Sequence, residues 1–258
     1  MNILITGSSK GIGRALAFEC AANNHNLILN ARSADLLEKL SQEIKAQYKV
    51  NVYCVVLDLS QKGADKQLIE QLNNRNLEVD CLINNAGIGY LGDFTEMTEE
   101  RVENILSLNI DVLTRLTLYY AKEFKRRKEG YILQVASTAA FLPGPYMSLY
   151  YASKAFVLNL SRAIRYELKG TGVSLSTLCP GPTKTNFVHE AEMEKSRMAK
   201  GIIGMMSAKE VAKIAYTGMM QKKSVIIPGF FNKLLAHSIR FTPTALALWI
   251  ISKIHQKK

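Results

Sequence analysis

Short apolar runs alternate with longer stretches whose hydrophobic residues recur at helical spacing. The runs at residues 2–6 and 26–30 flank a helical pattern at residues 11–24. Strand, helix and strand within about 30 residues form a βαβ unit. The runs are apolar throughout, whereas a half-exposed strand would alternate apolar and polar residues. They are therefore predicted to be parallel strands buried on both faces.

The alternation continues over most of the chain, with no repeat, low-complexity tract or linker. Right-handed crossovers between parallel strands then predict an α/β fold with a doubly wound sheet in three layers. The chain of 258 residues is long enough for a large core, and we expect one domain over residues 1–228. Further strands are predicted at residues 51–56, 80–84, 131–136, 172–179 and 224–227, and further helices at 33–48, 61–74, 99–127, from near Tyr146 to 168, and at 208–220.

The pattern changes after residue 228. Residues 229–258 are apolar with basic residues interspersed, and they contain the only tryptophan, Trp249. Pro243 splits them into two predicted helices, of which the second, at 244–255, is apolar nearly all round. We expect this C-terminal helical extension to cover the pocket or to form a subunit interface. Peripheral contact with an anionic membrane surface is the alternative.

The composition is that of an ordinary globular protein. Hydrophobic residues make up 48% and charged residues 21%, which excludes disorder, collagen and coiled coil. No run of about 20 apolar residues exists, so no membrane span is predicted. No basic leader or cleavage site precedes the first strand, so no secretory signal is expected.

The cysteines and the net charge indicate no metal site and no nucleic acid. Cys20, Cys54, Cys81 and Cys179 lie in apolar segments without CxxC spacing or a nearby histidine pair, so buried thiols in a reducing cytoplasm are expected. The net charge is +11, with basic clusters at residues 125–128 and 257–258. No nucleic-acid motif accompanies this charge. It is explained by a solvated basic face, by contact with lipid headgroups or by binding of an anionic cofactor.

The first turn, TGSSKGIG, indicates a dinucleotide site. Gly7, Gly11 and Gly13 lie between the first strand and the first helix, with Ser9, Lys10 and Ile12 among them. A tight turn and a close backbone approach to phosphate both need residues without side chains, and the helix N-terminus offers free N–H groups to an anion. The spacing GxxxGxG differs from GxGxxG and lacks the GK[ST] ending of a triphosphatase loop.

The end of the second strand favours NADP over NAD. An acidic residue at this place would bind a free ribose 2′-hydroxyl, but the chain has Asn30, Ala31 and Arg32. Arg32 is suited to bidentate phosphate contact, and Lys10 provides a second cation. Asp58, followed by Leu59 after the third strand, either meets the adenine amino group or caps the next helix.

One stretch, at residues 137–154, combines a hydroxyl, a phenol and an ammonium. Tyr150 and Lys154 are four apart, so on a helix they share one face about 5–6 Å apart. Ser137 closes a strand and precedes the loop that leads to this helix. Asn109 is polar in an apolar helical window, either as a satisfied core amide or as a holder of water.

These motifs, in this order and spacing, resemble the short-chain dehydrogenase/reductase family. TGSSKGIG, the NNAG segment at the fourth strand, Asn109, Ser137 and Tyr150-x-x-x-Lys154 carry the resemblance, which covers residues 1 to about 185. It implies a seven-stranded parallel sheet (a Rossmann fold), a nicotinamide cofactor and an oxidoreductase acting on carbonyl and alcohol groups. By matching positions, it implies Asn109, Ser137, Tyr150 and Lys154 as catalytic residues and Tyr150, Lys154, Asn85, Ala86, Gly87, Pro180, Gly181 and either Thr183 or Thr185 as cofactor contacts.

The residue types then predict the mechanism. A lysine ammonium about 4–5 Å from a phenol favours the phenolate by about 3–4 kcal/mol at an effective dielectric of about 20, which lowers the pKa of Tyr150 before desolvation opposes it. Tyr150 is the expected general acid and base, and Ser137 polarises the carbonyl. Tyr151 is assigned to packing.

The sequence leaves the substrate and the assembly open. Residues 183–207 are predicted to form a substrate lid, in which Met193, Met198, Met205 and Met206 either line an adaptable apolar pocket or pack in the core. We expect a hydrophobic carbonyl or alcohol substrate and a homodimer or homotetramer. Alternatives to a general NADPH-dependent carbonyl reductase are a 3-ketoacyl-thioester reductase and a catalytically silent NADP sensor.

Overall fold

The elements of the first half follow the predicted alternation closely. A computed structural model describes residues 1–185, 187, 191 and 205–255, apart from the side chain of Arg240. In chain order the first half contains β1 (Asn2–Thr6), α1 (Gly11–Ala22), β2 (Asn26–Ala31), α2 (Ala34–Gln47), β3 (Val52–Val56), α3 (Ala64–Asn74) and β4 (Cys81–Asn84).

The second half adds three more strands of the main sheet. After a 3₁₀ turn (Phe94–Glu96), the elements are α4 (Glu99–Leu106), α5 (Val112–Arg127), β5 (Gly130–Val135), a 3₁₀ turn (Thr138–Phe141), α6 (Ser148–Glu167), β6 (Val173–Leu178), β7 (Thr183–Lys184), β8 (Met206–Ser207), α7 (Ala208–Met220), β9 (Val225–Ile226), α8 (Phe230–Ser238), a 3₁₀ turn (Ile239–Phe241) and α9 (Thr244–His255).

Seven parallel strands form one sheet in the order β3-β2-β1-β4-β5-β6-β9. The order reverses direction between β1 and β4, which is where a doubly wound sheet opens a crevice at its carboxyl edge. This confirms the predicted fold class. The short strands β7 and β8 pair separately.

The core lies on both faces of the sheet because neighbouring strand residues point to opposite sides. Ile3 and Ile5 of β1 pack on the face covered by α1, α2 and α7. Leu4, between them, packs on the face covered by α3 and α5. The apolar runs of the sequence are therefore strands covered by helices on both sides.

Two predicted elements differ in detail from the structure. The long helix predicted at 99–127 is interrupted by a π-helical stretch, Ser107–Asp111, between α4 and α5. The third strand is half exposed, with Tyr53 and Val56 on the surface, because β3 is an edge strand. A central strand would bury both residues, so the predicted burial on two faces is wrong for this strand.

The predicted lid, residues 183–207, is described only in part. Met193 and Met198 lie outside the described residues. Met205 lines the main cavity, and Met206 lies in β8, which pairs with β7.

The C-terminal extension consists of α8 and α9, with Pro243 between them. Ala236 of α8 packs in a cluster with residues of α5, of α6 and of the segments that follow β5 and β6, and Ile251 of α9 packs against Tyr151 and its neighbours. Within the described part of the chain, no helix combines the length and the apolar character that crossing a membrane requires.

Candidate active site

A cavity of about 560 Å³ opens at the carboxyl edge of the sheet, among the loops that follow β1 to β6. Its volume suits a small-molecule or cofactor site. Two of the predicted residues, Gly13 and Asn109, lie behind its wall. The wall includes the other predicted residues, Gly7, Ser9, Lys10, Gly11, Ile12, Arg32, Asp58, Leu59, Asn85, Ala86, Gly87, Ser137, Tyr150, Lys154, Pro180, Gly181, Thr183 and Thr185.

The glycine turn is shaped by its contact with the end of β4. Gly7 has a left-handed φ of +61°, and a Cβ there would lie 2.8 Å from the Cα of Ala86. The Asn85 side chain donates from Nδ2 to the carbonyl oxygens of Thr6 at 3.0 Å and Gly7 at 2.9 Å. The amide of Asn85 thus holds the turn at the start of α1, where backbone N–H groups can meet an anion.

Arg32 and Asp58 line the adjacent part of the cavity. Arg32 is exposed, and within the described residues it forms no hydrogen bond or ion pair. Its guanidinium is therefore available to a ligand. Asp58 accepts from the backbone N–H of Ser60 at 2.9 Å and from its hydroxyl at 2.8 Å, so this carboxylate caps the turn after β3. It does not cap α3, which begins at Ala64.

Ser137, Tyr150 and Lys154 meet in the same cavity. Ser137 follows β5; its hydroxyl accepts from the N–H of Ala139 at 3.1 Å, donates to the carbonyl oxygen of Pro180 at 3.5 Å, and lies close enough to the Tyr150 phenol to oppose a rise in its pKa. Tyr150 and Lys154 lie one turn apart on α6, with Nζ 5.8 Å from the tyrosine ring centroid. Lys154 is buried, and its Nζ donates to the carbonyl oxygen of Val135 at 3.0 Å.

Burial outweighs the pKa shift that the sequence predicts for Tyr150. Desolvation raises the pKa of Tyr150 to about 12, although the nearby hydroxyl of Ser137 opposes this. Burial also lowers the pKa of Lys154 to about 8. The expectation of a lowered tyrosine pKa is therefore wrong, because burying both groups disfavours both charges. The phenol of Tyr150 is held in its protonated form.

Asn109 lies in the π-helical stretch between α4 and α5 and is fully buried. Its Oδ1 accepts from the N–H of Ile88 at 2.9 Å, and its Nδ2 donates to the carbonyl oxygen of Ile88 at 2.9 Å and to the hydroxyl of Ser153 at 3.0 Å. Asn109 therefore ties the loop after β4 to α6. π-helical turns inside α-helices occur frequently at functional sites.

Comparison with known proteins identifies the family. A family model described as short chain dehydrogenase matches residues 1–196, about three quarters of the chain. The chain belongs to the short-chain dehydrogenase family. It is therefore an oxidoreductase of the class that uses NAD or NADP on alcohol and carbonyl groups.

Relatives of this short-chain dehydrogenase include proteins of different substrate classes. The chicken protein named hydroxysteroid dehydrogenase-like protein 1 is 31% identical over 93% of this chain and 70% of its own length. The very-long-chain 3-oxoacyl-CoA reductase of Pyrenophora tritici-repentis is 36% identical over 66% of this chain, which spans about half (51%) of that protein. A short-chain dehydrogenase from Sphingobium yanoikuyae, solved in complex with NADPH, superposes with a TM-score of 0.82, at 31% identity and over 89% of this chain and 88% of that one.

The two threonines after β6 have different neighbours in this short-chain dehydrogenase. The Thr183 hydroxyl donates to the carbonyl oxygen of Gly181 at 2.9 Å. Thr185 lies beside the glycine turn, where a Cβ on Gly11 would be 3.3 Å from its Cβ. Both line the cavity, and Thr185 is the one nearer the predicted phosphate-binding turn.

Tyr151 has a role that its assignment to packing missed. Its hydroxyl is hydrogen-bonded to Nε2 of His255 at 2.7 Å, and both side chains are buried and line the cavity. Phe187 also lines the cavity, with its ring 5.3 Å from that of Tyr150. The sequence offers no signal for the Tyr151 and His255 pair, because 104 residues separate them.

The free energy of unfolding of this short-chain dehydrogenase is expected to decrease as the pH is lowered and His255 becomes protonated. Burial lowers the pKa of His255 from 6.5 to about 4. The folded state therefore binds protons less readily than the unfolded state, so stability is complete above pH 6.5 and is lost as pH falls towards 4. The full loss is up to about 3 kcal/mol.

Urea unfolding at a series of pH values measures this contribution. His255→Gln should flatten the acid side of the stability profile, whereas His237→Gln, which changes an exposed histidine on α8, should leave the wild-type slope. Equal slopes for the wild-type protein and His255→Gln would contradict the assignment.

Proposed function

We propose that this chain is an NADP(H)-dependent oxidoreductase that reduces a ketone or aldehyde to an alcohol, or catalyses the reverse reaction. The observation that carries the proposal is that Ser137, Tyr150 and Lys154 share one cavity wall with the glycine turn at the start of α1. The residues fit a dinucleotide, since this wall combines a backbone turn without bulky side chains and the amide end of a helix.

Proton transfer in this proposal belongs to Tyr150. When bound, a nicotinamide cofactor supplies or takes up the hydride. Tyr150, whose raised pKa keeps it protonated, donates its proton to the substrate oxygen in the reducing direction. Ser137 donates a hydrogen bond that polarises the carbonyl, and this interaction strengthens as negative charge develops on the oxygen.

In this proposal Lys154 and Asn109 do not react with the substrate but serve cofactor binding and proton relay. Lys154 would hold the ribose of the cofactor and pass a proton to Tyr150 after Tyr150 has protonated the substrate. Nζ of Lys154 and Oδ1 of Asn109 lie 3.1 Å and 3.2 Å from the point that a Cβ on Gly87 would occupy. Both side chains therefore approach the loop after β4, and a water beside them is the route that we propose for protons to reach Lys154.

The preference for NADP rests on Arg32. An exposed guanidinium without a partner in the described residues stands where an acidic residue would select NAD. It can bind a 2′-phosphate through two charge-assisted hydrogen bonds. NAD remains the less favoured cofactor because no carboxylate follows β2 to bind a free 2′-hydroxyl.

Arg32→Ala is expected to weaken NADPH binding by about tenfold to a hundredfold, because a hydrogen bond between charged groups contributes about 1.5–3 kcal/mol. NADH binding should change by less than about twofold, because NADH has no 2′-phosphate for the guanidinium to bind. Fluorescence titration with each cofactor measures both dissociation constants. Arg115→Ala is the control, since Arg115 is exposed on α5 and pairs with Asp111 at 2.8 Å. Equal losses for the two cofactors would contradict the role of Arg32.

The substrate of the proposed reaction is a hydrophobic carbonyl compound. Met147, Tyr151 and Phe187 pack with Tyr150 where they line the cavity, so its substrate end is apolar. The relative named hydroxysteroid dehydrogenase-like protein 1 supports a bulky ring substrate. A 3-ketoacyl thioester is the second candidate, supported by the very-long-chain 3-oxoacyl-CoA reductase and by the basic charge of the chain.

A screen of NADPH oxidation over ketones, aldehydes and 3-ketoacyl thioesters, run in parallel with NADH, tests the proposal. Turnover of bulky ketones with NADPH is the expected result, and turnover of thioesters alone would favour the second candidate. Tight NADPH binding without turnover of any carbonyl class would instead mean a catalytically silent NADP sensor.

We further propose a cytoplasmic homodimer or homotetramer. The four cysteines are free thiols, which fits a reducing compartment. Leu118 of α5 and Phe156 and Tyr166 of α6 are exposed, which supports a contact between subunits through these helices. Light scattering of the purified protein reports the number of subunits.

A further inference from the structure

The last two helices expose most of their large apolar side chains. Eight such residues of α8, α9 and the turn between them are between 41% and 89% exposed. They are the most concentrated group of exposed large hydrophobic residues in the described part of the chain. We call them the C-terminal apolar surface, which consists of Phe230, Phe231, Leu234, Leu235, Phe241, Leu246, Trp249 and Ile250.

These helices turn large apolar residues outward, in α8 almost all of them and in α9 about half. In α8 the only fully buried residue is Ala236, and Asn232 faces inward towards Gly181. In α9 Ala247 and His255 are buried and Leu248, Ile251 and Ile254 are half-buried, whereas Leu246, Trp249 and Ile250 are exposed. A helix that packs only on its own domain turns its large apolar residues inward and its small and polar residues outward. The C-terminal apolar surface is therefore built to be covered from outside.

The charged residues of the last 48 residues are all of one sign. Residues 211–258 contain eight lysines and arginines and no aspartate or glutamate. Lys233 of α8 and Lys253 of α9 are exposed on the same two helices as the apolar residues. The partner that complements this surface is apolar in its interior and anionic at its boundary.

We propose that the C-terminal apolar surface docks on an anionic lipid bilayer, with its aromatic residues among the acyl chains and its lysines at the headgroups. Exposed aromatic and leucine side chains together with cations are the composition of helices that lie in a membrane interface. The twelve residues of α9 span about 18 Å, which is shorter than the hydrocarbon core of a bilayer, so the helix lies along the surface.

A second copy of the chain fits this surface less well. In a twofold contact the same patch meets itself, so the basic residues of one copy would face those of the other. Neither helix contains a carboxylate to pair with them. An anionic lipid surface supplies the opposite charge along its whole area.

Vesicle flotation with the full chain tests the docking. The vesicles contain either phosphatidylcholine alone or equal parts of phosphatidylcholine and phosphatidylglycerol. We expect binding to the anionic vesicles that weakens with rising salt, since exposed charges are screened. The double variant Phe231→Ser and Trp249→Ser should lower the partition coefficient by about tenfold or more, because each aromatic loses its burial in lipid. Lys233→Glu with Lys253→Glu should remove the preference for phosphatidylglycerol.

Phe94→Ser is the matched control, since Phe94 is an aromatic residue in the 3₁₀ turn before α4 that is 62% exposed and lies outside this surface. It should bind vesicles like the wild-type protein. Unchanged NADPH binding shows that each variant is folded, and the readout requires no turnover, so the result is independent of the catalytic assignment. The proposal is overturned if wild-type protein does not float with anionic vesicles or if the double variant floats equally well. It is also overturned if light scattering shows a dimer that the double variant dissociates while vesicles bind neither protein.

Discussion

Tyr150→Phe is expected to abolish turnover, with a loss of about a hundredfold to ten-thousandfold in kcat, because a general acid contributes about this much. The phenyl ring keeps the contact with Phe187, at a centroid distance of 5.3 Å, and only the hydroxyl that meets Ser137 is lost. NADPH affinity should therefore stay close to that of the wild-type protein. Steady-state kinetics and fluorescence titration measure the two effects separately.

Two neighbouring substitutions sharpen this result. Tyr166→Phe, on an exposed position of the same helix, should have wild-type kinetics. Tyr151→Phe removes the hydroxyl that binds His255 and should change KM more than kcat, since Tyr151 lines the cavity but does not meet Ser137. Retained turnover in Tyr150→Phe, or a larger loss of kcat in Tyr151→Phe than in Tyr150→Phe, would show that Tyr150 is not the proton donor.

Gly13→Ala is expected to destabilise the protein by about 1–3 kcal/mol through overpacking and to weaken NADPH binding at least tenfold. A Cβ at this position would lie 2.3 Å from the carbonyl oxygen of Gly7 and 2.4 Å from Nδ2 of Asn85. Neither can retreat without breaking the hydrogen bond of 2.9 Å between them, which holds the glycine turn. Urea unfolding and NADPH titration are the measurements.

The direction of the change in stability of Gly13→Ala distinguishes two explanations, because alanine is the better helix former. Inside α1 the exchange would stabilise by about 1 kcal/mol if helix propensity alone decided. A stabilised Gly13→Ala protein with wild-type NADPH affinity would therefore contradict the packing argument. Gly170→Ala is the control, since Gly170 has no neighbour within 4 Å of a Cβ but a φ of +76°. It should cost about 1–2 kcal/mol for its backbone conformation and leave NADPH binding unchanged.

Local chemistry made much of the candidate site predictable. The glycine turn could be placed because a strand, a turn without side chains and a helix follow each other directly in the chain. Tyr150 and Lys154 could be paired because residues four apart share a helix face. The position of Arg32 at the cavity could be predicted because this residue follows β2, whose carboxyl end lies beside the turn after β1. Each of these inferences spans one element or one pair of neighbouring strands.

The parts that could not be predicted depend on distant contacts. His255 reaches Tyr151 only because α9 folds back over the cavity, and helical periodicity does not report where a whole helix lies. The direction of the Tyr150 pKa shift was also missed, because the attraction of Lys154 is a local quantity whereas desolvation sums over every atom around the phenol. The half-exposed β3 differs from the central strands only through its position at the edge of the sheet.

By itself the sequence determined the α/β class, the order of strands and helices, and most of the residues that line the cavity. These follow from periodicity and from spacing within single elements, which the local backbone geometry sets. Only the tertiary structure decided the protonation tendencies of Tyr150 and Lys154, the pairing of Tyr151 with His255, and the outward orientation of most large apolar residues of α8 and α9. Burial and facing depend on what packs against each side chain, and that is a property of the whole fold.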